Sequence, residues 1–299
     1  MKNEMTTESA GSTLRLVWPQ WQGAAPDVVG ALAPELPLPA AQTGYSLGTR
    51  ILDLLVPAHG QKTEVVPVGN YSPTLGTDNG IYAREAVIDQ LRSALGILRE
   101  TDPARVTTLG GECSVSVAPF SHLAAKYGDD LAVVWLDAHP DCTLPESNYD
   151  GYHAMAISHL TGHGDPEVLE ALPATIDPSR VALAGLHAWA EDELPNVQAW
   201  RLTTFSPAVL NEGAEGLLAW LKATGCSKVA IHLDVDVIDS NDIVFGLGME
   251  PQGLTRDSVA KTIGALHGAA DVVALTVAEY IPRQVLALQD LLGKIDFPA

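Results

Sequence analysis

The chain has 299 residues, 46% of them hydrophobic, which is enough for one large globular domain or two small ones. Its formal net charge of −20 argues against nucleic acid or an anionic membrane as a partner, while it suits a small cationic substrate or simply maintains solubility. The three cysteines form no disulfide framework, no apolar run approaches the roughly 20 residues that span a bilayer, and residues 1–12 hold no apolar signal core, so we expect a cytoplasmic protein.

Strand-like and helix-like segments alternate along the chain. Apolar runs predict strands at residues 13–17, 63–68, 105–109, 131–136, 180–186, 228–233 and 272–278. Apolar residues at helical spacing, together with shorter helix-like stretches, predict helices at residues 84–100, 114–127, 153–160, 217–224, 254–267 and 283–292. We expect a loop rich in proline and glycine up to about residue 45, and a polar loop over residues 142–151.

Several predicted strands are apolar throughout instead of alternating, which is typical of a parallel sheet covered by helices on both faces. No shift in composition marks a domain boundary and no internal repeat is visible, so we expect one α/β domain over residues 1–299. In such sheets, ligands bind beyond the carboxyl ends of the strands.

Two acidic motifs directly follow predicted strands, Asp-Ala-His-Pro-Asp at residues 137–141 and Asp-Val-Asp at residues 234–236. In extended backbone, alternate side chains share a face, so the acidic and histidine side chains of each motif can converge. Buried carboxylates at two strand ends would repel one another and lose their hydration, and one or two divalent cations would remove that cost. Oxygen and imidazole ligands suit manganese, magnesium or zinc.

These motifs fit a capped turn or a calcium loop less well than they fit such a metal site. A lone Asp-x-His-x-Asp could be a capped turn, but a second acidic motif at an equivalent strand end disfavours that interpretation. A calcium loop starting at Asp234 would need glycine at its sixth position and glutamate at its twelfth, where the chain has Asp239 and Phe245. The chain also contains neither a Gly-x-x-x-x-Gly-Lys phosphate loop nor a Gly-x-Ser-x-Gly elbow.

Four motifs in order resemble those of the ureohydrolase superfamily, which contains arginases, agmatinases and formimidoylglutamases. They are Gly-Gly-Glu-Cys-Ser at 110–114, the two acidic motifs, and Glu-Tyr-Ile-Pro at 279–282. The resemblance implies a three-layer α/β/α fold with a mainly parallel sheet of about eight strands. It also implies two Mn²⁺ ions that activate a bridging water, whose hydroxide attacks a guanidinium or amidine carbon and releases urea, or a urea derivative, and an amine.

The resemblance also implies roles for individual residues of the metal site. Asp137 and Asp234 would bridge the two ions, and His139 and Asp236 would complete one position. Asp141 and the residue at position 113 would complete the other. The partner implied is a small guanidino or amidine substrate, and the superfamily's usual assembly implies a homo-oligomer, either a trimer or a hexamer.

Three residues are predicted to be catalytic. Glu279 resembles the superfamily's guanidinium-binding glutamate, although it could be an exposed charge at the sheet edge. His153 resembles the histidine proposed to shuttle protons to the leaving amine, a task that suits an imidazole, although it could be a structural helix cap. Asp141 joins them as a group at the metal site.

Cys113 is the main departure from the superfamily, which normally has histidine at this position. Three outcomes are open: weak metal binding through Cys113, a preference for zinc or iron, or a single metal held by the other ligands. Alternatively, Cys113 is a small buried side chain with no ligand role. A few ureohydrolases that act on hydroxylated arginine also resemble this chain in having cysteine before Ser-Val-Ser.

The predicted substrate loop departs as well. In place of the Asn-Thr-Pro turn of arginases, Thr143, Ser147 and Asn148 could donate hydrogen bonds to a substrate. Where arginases have an aspartate for the α-amino group, the chain has an apolar residue, so Glu191 or Asp192 would substitute. These departures leave open which guanidino compound is the substrate.

Two rival functions stay open. The first is a non-catalytic or single-metal homologue with a structural or regulatory role, which Cys113 and the altered loop motivate. The second is a two-metal phosphoesterase, which is disfavoured because no basic phosphate clamp lies near the motifs.

Overall fold

The structure is a computed structural model that describes residues 12–34, 36–69 and 75–298. Most of the polar N-terminal segment, up to residue 11, therefore lies outside the described residues. The strands of the described part are β1 (Thr13–Trp18), β2 (Lys62–Val65), β3 (Thr77–Asp78), β4 (Ile81–Tyr82), β5 (Arg105–Gly110), β6 (Leu131–Leu136), β7 (Val181–Ala184), β8 (Thr203–Phe205), β9 (Lys228–Asp234) and β10 (Asp271–Ala278). Its α-helices are α1 (Pro26–Leu32), α2 (Leu38–Gln42), α3 (Gly44–Leu55), α4 (Arg84–Thr101), α5 (Val117–Tyr127), α6 (Ala156–Leu160), α7 (Pro166–Ala171), α8 (Leu194–Ala199), α9 (Pro207–Glu212), α10 (Glu215–Thr224), α11 (Arg256–Ala269) and α12 (Val285–Leu292).

Eight of these strands form one parallel sheet in the order β2-β1-β5-β10-β9-β6-β7-β8, while β3 and β4 form a separate antiparallel hairpin. The central strands β5, β10, β9 and β6 are buried along almost their whole length. Their apolar residues form strands because both faces of the sheet are covered. The predicted parallel sheet of about eight strands is confirmed.

Side chains of each central strand alternate between two hydrophobic cores, one on each face of the sheet. In β6, Val133 and Trp135 pack into the core that also holds the apolar faces of α4 and α5. Val134 and Leu136 point to the opposite core, which is formed with α3, α10, α11 and α12. The layers are therefore helix, sheet and helix, as expected.

The loop predicted before residue 45 is wrong. This segment contains α1 and α2, and α3 begins at Gly44. Pro26 is the first residue of α1 and Pro39 the second of α2. Proline fits the first helical turn, where its missing N–H would have no partner, so these prolines start helices instead of marking a loop.

Smaller differences concern element boundaries. The predicted helix at 114–127 divides into a 3₁₀ turn, Cys113–Ser116, and α5, and the one at 153–160 divides into a second 3₁₀ turn, Tyr152–Met155, and α6. β8 has three residues and no apolar run, so the sequence does not predict it. None of the described helices combines the length and apolar character that a membrane crossing requires.

Candidate metal centre

Four neighbouring strands end at one edge of the sheet, and each is followed by one of the four motifs. β5, β10, β9 and β6 are adjacent and parallel, so their carboxyl ends meet. A cavity of about 690 Å³ opens beyond this edge. Its lining includes His139, Asp141, His153, Asp234, Asp236 and Glu279.

The two acidic motifs converge through turns at the strand ends. The sequence instead predicts that they converge because alternate side chains of a strand share a face. β6 ends before Asp137, and Asp141 lies in the left-handed region at φ 49°. β9 ends at Asp234, and Val235–Val237 form a 3₁₀ turn. The side chains of Asp137 and Asp234 each accept a hydrogen bond from the backbone N–H two residues later, at 2.6 and 2.7 Å. These local bonds bend the chain just beyond each strand.

One group of potential metal ligands consists of Asp137, His139 and Asp236, whose ligand atoms lie within 4.8 Å of one another. His139 Nδ1 is 3.1 Å from Asp236 Oδ2 and 3.6 Å from Asp137 Oδ1. His139 Nε2 lies 3.7 Å from Glu250 Oε1, a carboxylate of the kind that orients a ligating imidazole. The structure therefore brings together three side chains predicted for one metal position.

A second group consists of Cys113, Asp137, Asp234 and His232, the last of which the sequence analysis did not consider. Cys113 Sγ is 3.1 Å from Asp234 Oδ2 and 3.8 Å from Asp137 Oδ2. All four side chains are buried. Asp137 belongs to both groups, as a carboxylate that bridges two metal ions would.

Asp141 lines the same cavity but lies outside both groups. Its Oδ2 atom is buried and has no hydrogen-bond partner among the described residues. Burial, reinforced by the charge of Asp137, raises the pKa of Asp141 well above its usual value. A buried acceptor without a partner costs free energy, and a cation beside it would remove that cost.

Burial makes several of these groups resist ionisation. It raises the pKa of Asp137 to about 6, and the charge of Asp236 adds to the effect. Burial and then neighbouring carboxylates raise the pKa of Asp234 and of the Cys113 thiol well above their usual values. Burial acts to lower the pKa of His139, but the carboxylates around it outweigh burial and raise that pKa well above its usual value. A bound cation would favour the ionised carboxylates and thiolate.

Glu279 and His153 lie together next to Cys113. Glu279 Oε1 accepts a hydrogen bond from the backbone N–H of Cys113 at 3.0 Å and lies 3.2 Å from His153 Nδ1. His153 Nε2 is 2.7 Å from Tyr149 Oη. Burial acts to lower the pKa of His153, but the hydrogen bond and charge of Glu279 outweigh burial and raise it. Glu279 is therefore a buried group of the cavity and not an exposed charge at the sheet edge.

The residues predicted to bind substrate are placed differently from one another. Thr143 lines the cavity. Ser147 and Asn148 lie further along the same loop and outside the lining, and Ser147 Oγ accepts a backbone hydrogen bond of that loop at 3.0 Å. Glu191 is exposed and also outside the lining, whereas Glu193 is buried and belongs to it. The acidic side chain on this wall of the cavity is therefore Glu193.

Several further residues of this region are not predicted by the motifs, because tertiary packing brings them there. Tyr45 comes from α3 and Glu250 from the loop after β9, and neither belongs to a motif. Burial, and next the charge of Glu279, raises the pKa of Tyr45. His232 could have been recognised, because it precedes Asp234 by two residues in one strand and so shares its face.

The donor set fits divalent cations. Carboxylates and imidazole suit manganese or zinc, while a thiol favours a softer ion such as zinc or iron. Two buried atoms without a hydrogen-bond partner in the described part of the chain, Asp141 Oδ2 and His232 Nε2, belong to this region. The residues support metal binding without selecting one metal.

Known proteins share this sequence pattern. A family model for the arginase family matches residues 45–286. An arginase of Staphylococcus aureus is 29% identical over 181 residues, which cover 58% of this chain and 59% of the relative, so the match spans about three fifths of that protein. An agmatinase of Chromobacterium violaceum is 28% identical over 207 residues, 68% of this chain and 57% of the agmatinase.

The fold is shared as well. The crystal structure of the Entamoeba histolytica arginase in complex with L-ornithine has a TM-score of 0.75 with this chain, and the match covers 95% of each. Its sequence identity is 16%, so it supports the fold alone. The family model, in contrast, covers most of the sequence. The chain therefore belongs to the arginase family.

Proposed function

We propose that this protein hydrolyses the guanidino group of a small cationic compound with the help of two divalent cations, most simply Mn²⁺. The observation that carries the proposal is the placement of two potential metal-ligand groups, which share Asp137, beside the buried carboxylate of Glu279. One part of this arrangement can hold metal ions, and the other can hold a guanidinium.

The metal ions, when bound, would lower the pKa of a water molecule and so supply hydroxide near neutral pH. We assign His139 and Asp236 to one ion, Cys113 and Asp141 to the other, and Asp137 to both. Asp234, which lies 3.1 Å from the Cys113 thiol, is the second shared carboxylate of the proposal. The thiol would have to ionise on binding, as metal-bound thiols do.

Glu279 is the proposed guanidinium partner. Its Oε1 atom accepts a hydrogen bond from the backbone N–H of Cys113, which fixes the carboxylate for a charge-assisted hydrogen bond to the substrate. The carboxylate is buried, and an ion pair is stronger in such surroundings than in water.

His153 is the proposed proton donor to the leaving amine. The carboxylate of Glu279 raises the pKa of His153, so the imidazole stays protonated at a pH closer to neutral. Tyr149 Oη, 2.7 Å from His153 Nε2, fixes the orientation of the ring.

The cavity lining favours a substrate with a cationic group and an apolar stem. Among the described residues that line it, there is no lysine or arginine to hold a second anionic group. Val28, Val29, Leu32, Leu247 and the half-exposed Trp189 supply apolar surface. Thr143 and Glu193 are the nearest polar choices for the rest of the substrate.

The test is a panel of arginine, hydroxyarginine, agmatine and formiminoglutamate, assayed for urea, urea derivatives and ammonia after loading with Mn²⁺. We expect hydrolysis of at least one compound, and its loss in Glu279→Gln and in Asp236→Asn. The matched control is Glu191→Gln, an exposed acid outside the cavity, which should keep activity. No product from any guanidino compound, together with less than about one equivalent of bound metal, would refute the proposal.

Cys113 favours one second candidate, a homologue that binds a single metal and has a structural or regulatory role. Its buried thiol lies 3.1 Å from Asp234 Oδ2, and its raised pKa opposes ionisation. Replacing Cys113 by His discriminates the two: this candidate predicts no gain in hydrolysis, whereas a large gain in Mn²⁺ affinity together with activity would exclude it.

The proposal also includes a cytoplasmic location. It further includes assembly into a trimer or hexamer, which rests on family resemblance alone. Light scattering of the purified protein measures the assembly directly. A stable monomer at the concentrations used for assays would contradict it.

A further inference from the structure

We propose that His232 is a metal ligand, and that its imidazole completes the position which Cys113 borders. This inference rests on the proposed metal-dependent function and adds a residue to it. One imidazole nitrogen of His232 lies within 4.8 Å of Cys113 Sγ and of carboxylate oxygens of Asp137 and Asp234. The three atom types together, sulfur, oxygen and nitrogen, form a coordination set for a divalent ion.

The surroundings of His232 hold the ring as a ligating imidazole is usually held. Its Nδ1 atom is 2.8 Å from Ser116 Oγ, so one nitrogen is occupied. The indole of Trp135 stacks on the ring, with centroids 3.6 Å apart and planes 10° from parallel. Trp135 Nε1 also donates to Asp137 Oδ2 at 2.9 Å, which ties the ring and the shared carboxylate to one side chain. A ligating histidine typically uses its second nitrogen for such an orienting bond.

The remaining nitrogen, Nε2, needs an explanation. His232 is fully buried, and Nε2 has no hydrogen-bond partner in the described part of the chain. A buried polar atom left without a partner costs folding free energy. His232 lies two residues before Asp234 in β9 and so shares its face, and one of its nitrogens is within 4.8 Å of the other ligand atoms. A metal ion at that group would satisfy Nε2.

The side chain at position 113 supplies a thiol and no imidazole. A cysteine is also shorter than the histidine that the superfamily normally has there. Cys113 is fully buried and its thiol already contacts Asp234 Oδ2 at 3.1 Å. His232 of β9 would therefore supply the imidazole that position 113 lacks.

The first test measures metal binding without any assay of activity. Chelator-treated protein is dialysed against Zn²⁺ or Mn²⁺, and the bound metal is counted by mass spectrometry. We expect His232→Ala to weaken one position by more than the roughly 10–100-fold that loss of a supporting residue costs, and Ser116→Ala to fall within that range. His159→Ala is the matched control. His159 is equally buried, but its Nε2 atom accepts a hydrogen bond from the backbone N–H of Asp165, at the start of α7. The folded variant should therefore bind metal normally.

The second test uses the unmodified protein, so it does not depend on the folding of any variant. In a crystal structure or an X-ray absorption spectrum of the Zn²⁺-loaded protein, His232 Nε2 should lie about 2.0–2.1 Å from a metal ion. A metal-loaded structure with water on Nε2, or unchanged metal binding in folded His232→Ala, overturns this inference and leaves the proposed function standing. A wild-type protein that binds no metal overturns both.

Discussion

Glu279 connects the proposed substrate site with the metal site through short contacts. It has φ 63°, in the left-handed region, and its backbone N–H donates to Gly111 O at 2.6 Å. This bond joins the end of β10 to the end of β5, and it turns the carboxylate toward Cys113 and His153. Strained backbone positions cluster at binding and active sites, and Glu279 is such a position in the cavity lining.

Replacing Glu279 by Gln should lower the pKa of His153. In the wild type the Glu279 hydrogen bond and charge outweigh burial and raise that pKa, so the favourable interaction is present at low pH and is lost as pH rises through the raised pKa. Removing an opposite charge at 3.2 Å should lower the NMR titration midpoint of His153. Tyr149→Phe is the control, since it removes a hydrogen bond but no charge. An unchanged midpoint in Glu279→Gln would show that Glu279 does not govern the charge of His153.

At the scale of elements, Arg84 fastens α4 to α7 and to the β3–β4 hairpin. Its Nε and Nη2 atoms donate to Asp165 at 3.0 and 2.9 Å, and Nη2 also lies 2.7 Å from Glu167. Asp165 is fully buried and caps α7 by accepting from the backbone N–H groups of Glu167 and Val168. Asn79 of the hairpin donates to the same carboxylate at 2.7 Å.

Arg84→Ala should lower the free energy of unfolding by about 3–5 kcal/mol, because it leaves the Asp165 carboxylate buried without its cation. Arg92→Ala is the matched control: Arg92 contacts Glu167 at 2.7 Å, but it is half exposed, so its loss should cost much less than the loss of Arg84. Urea denaturation measures both. Equal losses of stability in the two variants would contradict the role of Arg84 as the cation that neutralises the buried Asp165 carboxylate.

How much of this could be predicted differs between elements for physical reasons. β6 and β9 are predictable because strands buried on both faces are apolar throughout. The packing of α3 against the segment after β10 is not, because it depends on Gly48, where a Cβ atom would lie 1.8 Å from the carbonyl oxygen of Tyr280. Such a close approach between distant segments has no periodic signal in the sequence.

The same distinction applies to the candidate site. Local motifs were enough to predict which side chains gather at the strand ends, since Asp137 and Asp234 occupy the first positions after their apolar runs. They were not enough to predict that Asp141 would turn into the left-handed region, or that Glu193 would line the cavity instead of Glu191. Those outcomes depend on loop conformation.

For the molecule as a whole, acidic groups are in excess, and six of them line one cavity. The chain has 37 acidic residues against 17 lysines and arginines. Basic side chains such as Arg84, Arg105 and Arg180 pair with carboxylates away from the cavity, and no described lysine or arginine lines it. The cavity therefore attracts cations, whether metal ions or a cationic substrate.

This concentration of charge predicts how stability depends on pH and metal. Burial raises the pKa of Asp137 to about 6 and that of Asp141 and Asp234 well above their usual values. Without metal, these carboxyls bind protons in the folded protein that they release near pH 4 in the unfolded chain, so the stability that they contribute should fall as pH rises from about 4 to beyond 6. His159 and His232, whose pKa burial lowers to about 4 and about 3, contribute in the opposite direction over this range, because the unfolded chain binds their protons. Metal binding requires the ionised carboxylates, so it should stabilise the fold increasingly over the same range.

Thermal unfolding at several pH values, with Mn²⁺ or with a chelator, checks this expectation. The difference in Tm between the two should be small near pH 4.5 and should widen toward about pH 7.5, where saturating metal adds about 4 kcal/mol at 1,000 times its Kd. In Asp137→Asn, which removes one of the raised carboxyls and a shared ligand, the chelated protein should lose less stability with rising pH, and Mn²⁺ should raise its Tm less. A Tm difference that stays constant with pH would mean that the buried carboxylates are not what the metal ion neutralises.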